Sequence, residues 1–395
     1  MGIRCKLAAL AAFLSVVSAA VRAEAPPPDS WPMFRGSQAL LGVSKVEFPA
    51  NTFGPLWNFK TQGPVKSSPA IVGRRVFIGS GDQHLYALDL QTGRKLWAFK
   101  TEAPIESSPL VLNDRVFIGS TDGALYALSA ADGKLQWKYQ TGEKIIGSAN
   151  WFKPANGAVS IIVGSYDYML HCVDAATGKS NWVYESGNYI NGSPAVFEGQ
   201  TVFGGCDALL HVISLADGKQ AKEVEGGAYI AGSVAVKNQL AFYGHMENEF
   251  HCVDLQKGTN LWIYKDRLFP YYSSPAVTED RVIFGGRDKR LHCVNLKDGK
   301  PVWRFSTRGR VESSPVVAGD KVVVGSDDGR LYIVGLKDGK ELWSYEIGQP
   351  IASSPAVVEN KIVIGCDDGA VYAFAPLMAG SKPSGSAGTP RPTQK

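Results

Sequence analysis

The sequence predicts an all-β chain folded as an eight-bladed β-propeller of four-stranded antiparallel blades. Three observations carry that expectation: a repeat of about forty residues, four short strand-like runs inside each unit, and a lone N-terminal strand that matches the one missing at the other end. The repeat is marked by a Ser/Gly-Ser pair at Ser67-Ser68, Ser107-Ser108, Gly147-Ser148, Gly192-Ser193, Gly232-Ser233, Ser273-Ser274, Ser313-Ser314 and Ser353-Ser354. The second serine recurs at intervals of 40, 40, 45, 40, 41, 40 and 40 residues. A period of this size belongs to a propeller, a solenoid or an array, and the strand pattern decides among them.

One unit, residues 66–100, holds four runs rich in β-branched and aromatic residues: Pro69–Val72, Arg75–Gly79, Leu85–Asp89 and Leu96–Lys100. Gly, Asp, Gln and Ser clusters separate them, as in strands joined by hairpins. No run is long enough for an ordinary helix. Four antiparallel strands in about forty residues make a propeller blade.

Two turns repeat with their chemistry. The first carries an acid at Asp82, Asp122, Asp167, Asp207, Asp288, Asp328 and Asp368, with Glu247 in the fifth unit. Eight acids on eight blades do not converge on one metal, so turn formation is their expected role. The second turn ends in Gly93, Gly133, Gly178, Gly218, Gly258, Gly299 or Gly339, where glycine supplies a positive φ. Four residues later stands a tryptophan: Trp97, Trp137, Trp182, Trp262, Trp303 and Trp343, with Trp57 one period before Trp97 and Lys222 where the fourth unit is due one. On the outer strand such a ring fills the gap between sheets about 10 Å apart. Burying it contributes roughly 2–3 kcal/mol.

The eighth unit, residues 353–374, has only three strands. Gly54–Lys60, containing Trp57, is expected to supply the fourth, because an open array leaves unpaired edges in water. The predicted organisation is a signal peptide over 1–23, a lead-in over 24–53, the propeller over 54–376 and a disordered tail over 377–395. Arg4 and Lys6 precede the apolar stretch Leu7–Ala20, which is too short to span a bilayer. Cys5 lies ahead of that stretch, so a lipoprotein cysteine is not expected. A soluble, monomeric periplasmic protein without a transmembrane segment follows.

Removing Arg4, Lys6 and Arg22 from 41 basic residues leaves 38 against 37 acidic. That balance, without a basic run, excludes phosphate-driven binding of nucleic acid. Five cysteines remain: Cys172, Cys206, Cys252, Cys293 and Cys366. The pairs His171-Cys172, His251-Cys252 and His292-Cys293 face opposite sides of their strands on separate blades, so no metal site is expected from them. His171, His211, His251 and His292 share a repeat position with Tyr86, Tyr126, Tyr332 and Tyr372.

Ala87-Leu88-Asp89-Leu90-Gln91-Thr92-Gly93-Arg94-Lys95-Leu96-Trp97 resembles the tryptophan-docking motif of the pyrroloquinoline quinone (PQQ) repeat family. Cys172, Asp174, Gly178 and Trp182 keep its spacing, as do Cys252, Asp254, Gly258 and Trp262. Trp31-Pro32-Met33-Phe34-Arg35-Gly36 is similar to the lead-in of exported members. The resemblance covers roughly residues 31–376. It implies either a PQQ- and calcium-dependent alcohol or sugar dehydrogenase or a non-catalytic propeller of the BamB-like, outer-membrane assembly kind.

The residues before each serine pair are expected at the channel mouth: Lys66, Glu106, Ile146, Asn191, Ala231, Tyr272, Glu312 and Ala352. A quinone site implied by the resemblance would use Glu106 and Asn191 on calcium and Lys66, Arg308 and Arg310 on carboxylates. The family's following acid is absent at Ala231-Gly232. Intervals of 40 and 41 residues leave no insertion to wall a ligand, and the five extra residues lie around Trp151–Gly157. No catalytic residue, metal or cofactor is therefore expected. The expected function is a protein-interaction scaffold of the cell envelope, with outer-membrane assembly proteins as partners and Tyr189, Tyr229, Tyr271 and Tyr272 as contacts. A carbohydrate- or peptide-binding propeller is the further alternative.

Overall fold

The computed structural model describes residues 29–47, 52–154 and 157–377; the signal-peptide and tail expectations lie outside them. Eight sheets surround a channel. In blade one the strands run outward in chain order as Ala70–Val72, Arg75–Gly79, His84–Asp89 and Lys95–Lys100. Blades two to seven repeat that order from inner strands starting at Leu110, Asn150, Ala195, Ala235, Ala276 and Val316. The two middle strands of each blade lie between neighbouring sheets and are buried on both faces, so Val76–Gly79 is one continuous apolar run. Lys95–Lys100 reaches the rim and alternates in exposure.

Blade eight contains Ala356–Val358, Lys361–Cys366 and Ala370–Pro376, and its outer strand is Phe53–Lys60. Trp57 pairs with Ala373 in that antiparallel ladder, so the two ends of the chain close the ring as the sequence predicts.

The serine marker has a structural cause. The amide of Ser68 donates to the Ser108 hydroxyl, Ser108 to Ser148, and so on through Ser193, Ser233, Ser274, Ser314 and Ser354, which donates back to Ser68. The eight bonds measure 2.8 to 3.0 Å. At about 1 kcal/mol each, they form an inner hoop that only a closed ring completes.

An outer hoop joins the rim. The Trp57 Nε1 donates to the Leu90 carbonyl at 2.9 Å, and Trp97, Trp137, Trp182, Trp262 and Trp303 repeat the bond to Ala130, Ala175, Leu215, Leu296 and Leu336. Each ring lies on the positive-φ glycine of the next blade: a Cβ on Gly133 would sit 2.6 Å from the Trp97 ring. A register shift beside every docking position, such as that between Ala87 and Leu88, turns the ring toward its neighbour. Lys222 serves the same joint, its Nζ donating to the Leu255 carbonyl at 2.9 Å. Trp343 packs on Phe53, 5.8 Å between centroids.

The turn acids bind the aromatic four residues on. Tyr86, Tyr126, Tyr332 and Tyr372 donate to Asp82, Asp122, Asp328 and Asp368, and His171, His211 and His292 face Asp167, Asp207 and Asp288. Blade five departs from the expectation: Glu249, not Glu247, meets His251, at 2.9 Å. The turn after His245 takes a different path and carries Glu247 past the slot.

The lead-in was legible only as a motif, yet it touches all eight inner strands. Trp31 exchanges two backbone bonds with Ile71. The carbonyls of Pro32, Gln38, Ala39, Leu41 and Gly42 accept from Val111, Val196, Val236, Val277 and Val317. Gln38 also exchanges bonds with Trp151 and Asn150, Val43–Ser44 pairs in parallel with residues 317–318, and the Ser44 hydroxyl donates to Val357. Met33, Arg35 and Leu40, each 1 % exposed, fill this end of the channel.

Candidate functional site

The inner strands run from the serine hoop to the lead-in, so the channel keeps one open face, the mouth. All eight predicted mouth residues are partly exposed or exposed. A second set comes from the turns between second and third strands, which reach the same face and include Tyr166, Cys206, Arg287, Asp327 and Asp367.

The charged members pair with one another. Lys66 Nζ lies 3.3 Å from Glu106 Oε1, and Arg287 Nε donates to Glu312 Oε1 at 2.8 Å. Arg287 also covers the Tyr272 ring at 4.8 Å. Burial, with Glu312 nearby, pushes the Asp327 carboxyl up to about 6 despite Arg310. Burial also raises Asp367, whose Oδ1 makes no hydrogen bond among the described residues. Sequence reasoning missed these two acids because each precedes an aspartate already assigned to the turn.

The implied calcium and quinone set can be tested against this geometry. Calcium takes 6–8 oxygen ligands. Glu106 is held by Lys66. Asn191 accepts from the Tyr166 hydroxyl through Oδ1 and points its amide at Cys206 Sγ. Ala231 offers no side-chain oxygen, and among the described residues Glu106 joins no set of three acid, His or Cys atoms close enough for one ion. Lys66 is engaged by the same glutamate, and Arg310 acts on Asp327. The residues present do not fit the group.

The expected tyrosine contacts separate. Tyr271 is 2 % exposed and packs between blades five and six, 5.1 Å from Phe284 and 5.3 Å from His292; it offers a partner no surface, because its loop turns the ring inward beside Phe250. Tyr272 is half-buried under Arg287. Tyr189 and Tyr229 are 41 % and 55 % exposed. Tyr189 stacks on Tyr166 at 4.6 Å and meets Tyr168 at 5.1 Å. Lys144 lies over Tyr166 at 4.3 Å. With Glu143 and Asp167 these residues line a shallow recess of 510 Å³. Tyr168 holds a φ of 73° there, uncommon for a side chain of its size.

Fold and face together define an eight-bladed propeller of the PQQ-repeat kind. Residues 46–264 and 269–381 match the family described as outer membrane protein assembly factor BamB, and the chain belongs to that family. No curated protein matches the sequence. Among solved structures, BamB from Moraxella catarrhalis superposes with a TM-score of 0.69 at 17% identity, over 82% of this chain and 98% of that one. Quinohemoprotein alcohol dehydrogenase from Comamonas testosteroni gives 0.77 at 15% identity, over 93% and 82%. A europium-containing methanol dehydrogenase gives 0.72 at 15%, over 88% and 98%. Likeness at these identities shows the fold. No helix of the described residues is long and apolar enough to cross a membrane.

Proposed function

We propose that the chain is a non-catalytic scaffold of the cell envelope, exported to the periplasm, which holds a protein of the outer-membrane assembly machinery against its mouth face. One observation carries the reading: exposed Tyr189 and Tyr168 cluster on half-buried Tyr166 beside Lys144 on the face that the lead-in leaves open. Rigid tyrosines with an adjacent cation are what protein interfaces concentrate. The self-paired charges of the mouth support the same reading, because they occupy the side chains a quinone and its calcium would need.

The test is binding of the purified mature chain to purified assembly-machinery components, measured for the wild type and for a Tyr189→Ala, Tyr229→Ala double variant. Saturable binding weakened about thirtyfold in the variant is expected, the loss of one interface hot spot. No binding to any component overturns the scaffold reading. Stoichiometric uptake of PQQ with calcium, with dye-linked alcohol oxidation, replaces it with the dehydrogenase reading.

A further inference from the structure

Blade five breaks the repeat at two positions, which meet a histidine of the aromatic slot in space. His245 stands where Ser80, Ser120, Ser165 and Ser326 stand in other blades. Glu249 replaces the residue two after the usual turn acid, and His251 fills the aromatic slot. One ligand atom from each lies within 4.8 Å of the others. Glu249 Oε2 is 2.9 Å from His251 Nε2 and 3.5 Å from His245 Nε2. Two ligands on one tetrahedral zinc, with bonds of about 2.0–2.1 Å, stand about 3.4 Å apart, so these separations bracket a shared ion.

Two further observations point to a cation. His245 is 1 % exposed, and its Nε2, aimed at Glu249, makes no hydrogen bond among the described residues. His251 sets Nδ1 against Asn260 Oδ1 at 2.9 Å while Nε2 faces the carboxylate. With Nδ1–H given to Asn260, the Nε2 lone pair confronts an oxygen unless a positive centre lies between them.

Access comes from the preceding loop. Gly227 is exposed with φ +83°, and a Cβ there would sit 3.4 Å from His245 Nε2. Only the backbone of this glycine, with no side chain, covers the two rings on that side, where a fourth ligand would have to approach. Glu249 spends its other oxygen, Oε1, on Lys265, which is 57 % exposed and leaves Oε2 free for the ion.

We propose that His245, Glu249 and His251 form a binding site for one divalent transition-metal ion of the zinc class, with its fourth position on the side of Gly227. Two imidazoles and one carboxylate are the donor set such ions take, and calcium or magnesium is not favoured by it. Asn260 orients His251 in the way outer-shell acceptors orient metal-bound histidine. Loading requires His245 to carry its ring proton on Nδ1, so the 3.2 Å bond it accepts from the Glu247 amide gives way.

The test uses the purified mature chain freed of metal. Zinc titration followed calorimetrically, and cobalt titration followed by its visible absorption, should each saturate at one equivalent, the cobalt bands reporting low coordination with nitrogen donors. His245→Ser, which restores the residue other blades carry, and Glu249→Gln should each weaken zinc at least about 100-fold, more than loss of an outer-shell partner does. Asn260→Ala should weaken it about tenfold. Thermal unfolding of the metal-free variants establishes that they fold, and at equal zinc the gain in Tm should be largest for the wild type, smaller for Asn260→Ala and smallest for His245→Ser and Glu249→Gln. Absence of one-equivalent binding by the wild type overturns the proposal. So does zinc affinity unchanged in folded His245→Ser and Glu249→Gln, which would place the ion elsewhere.

Discussion

The amide of Ser354 donates to the hydroxyl of Ser68 at 2.9 Å, across 286 positions of sequence. It is the eighth bond, the one that turns a chain of seven serine contacts into a hoop. Phe53–Lys60 closes the same seam at the rim, so the ring is sealed at its inner and outer radii by different chemistry.

Ser68→Ala removes the acceptor of a buried amide at that seam. A stability loss of about 1–3 kcal/mol is expected. Urea unfolding should show a lower midpoint with an unchanged slope, which separates lost stability from a changed denatured state.

The rim joint makes a prediction of opposite sign. Lys222→Trp places a ring over Gly258, whose φ is +69° and whose nearest neighbour to an added Cβ is Lys222 itself. A gain of about 1–2 kcal/mol is expected from the extra apolar burial. Gly133→Ala, driving a Cβ into Trp97 at positive φ, should lose about 2–3 kcal/mol. Thermal melts of both variants check the pair.

Arg35 holds the lead-in to blades six and seven. Its guanidinium donates to the carbonyls of Ser314, Pro275 and Pro315 at 3.1, 2.9 and 2.5 Å. Burial lowers its pKa to about 9, so it is charged at neutral pH. Arg35→Ala strands three buried carbonyls, each worth about 1–3 kcal/mol when left unpaired, and should lower stability by at least that much. Gly42→Ala attacks the same contact, since its Cβ would overlap Nη2 at 1.9 Å. Both should expose residues 31–46 to limited proteolysis before the blades unfold.

Asp327 ties stability to pH. Its folded pKa of about 6 lies above the ordinary value of 3.8, so the folded chain binds the proton more tightly than the unfolded one. Stability from this group therefore falls as pH rises from about 4 to about 6 and stays reduced above. Asp327→Asn should match the wild type near pH 4 and exceed it by about 1 kcal/mol at pH 7, after allowance for solvent screening. Denaturant unfolding of both at the two pH values measures the difference.

Much of the molecule could be read from spacing because each blade repeats its own local chemistry. The serine pair, the Gly–Trp joint and Trp57 one period early predicted ring size, blade order and closure. Tyr271 shows the limit: it stands in the same loop as Tyr272, yet its ring turns inward, a choice made by Phe250 and Phe284 on two adjacent blades. Glu247 shows another, because two residues of altered turn path hand its role to Glu249.

The sequence by itself determined an eight-bladed ring and the residues that join neighbouring blades, since those joints recur at fixed intervals and each is made by the same short phrase. Only the tertiary structure decided what unlike residues do when eight loops converge: the pairing of Lys66 with Glu106 and Arg287 with Glu312, the tyrosine stack, and the meeting of His245, Glu249 and His251. It also decided the path of the lead-in, because that segment is held largely by backbone carbonyls, which every residue carries and no sequence pattern marks.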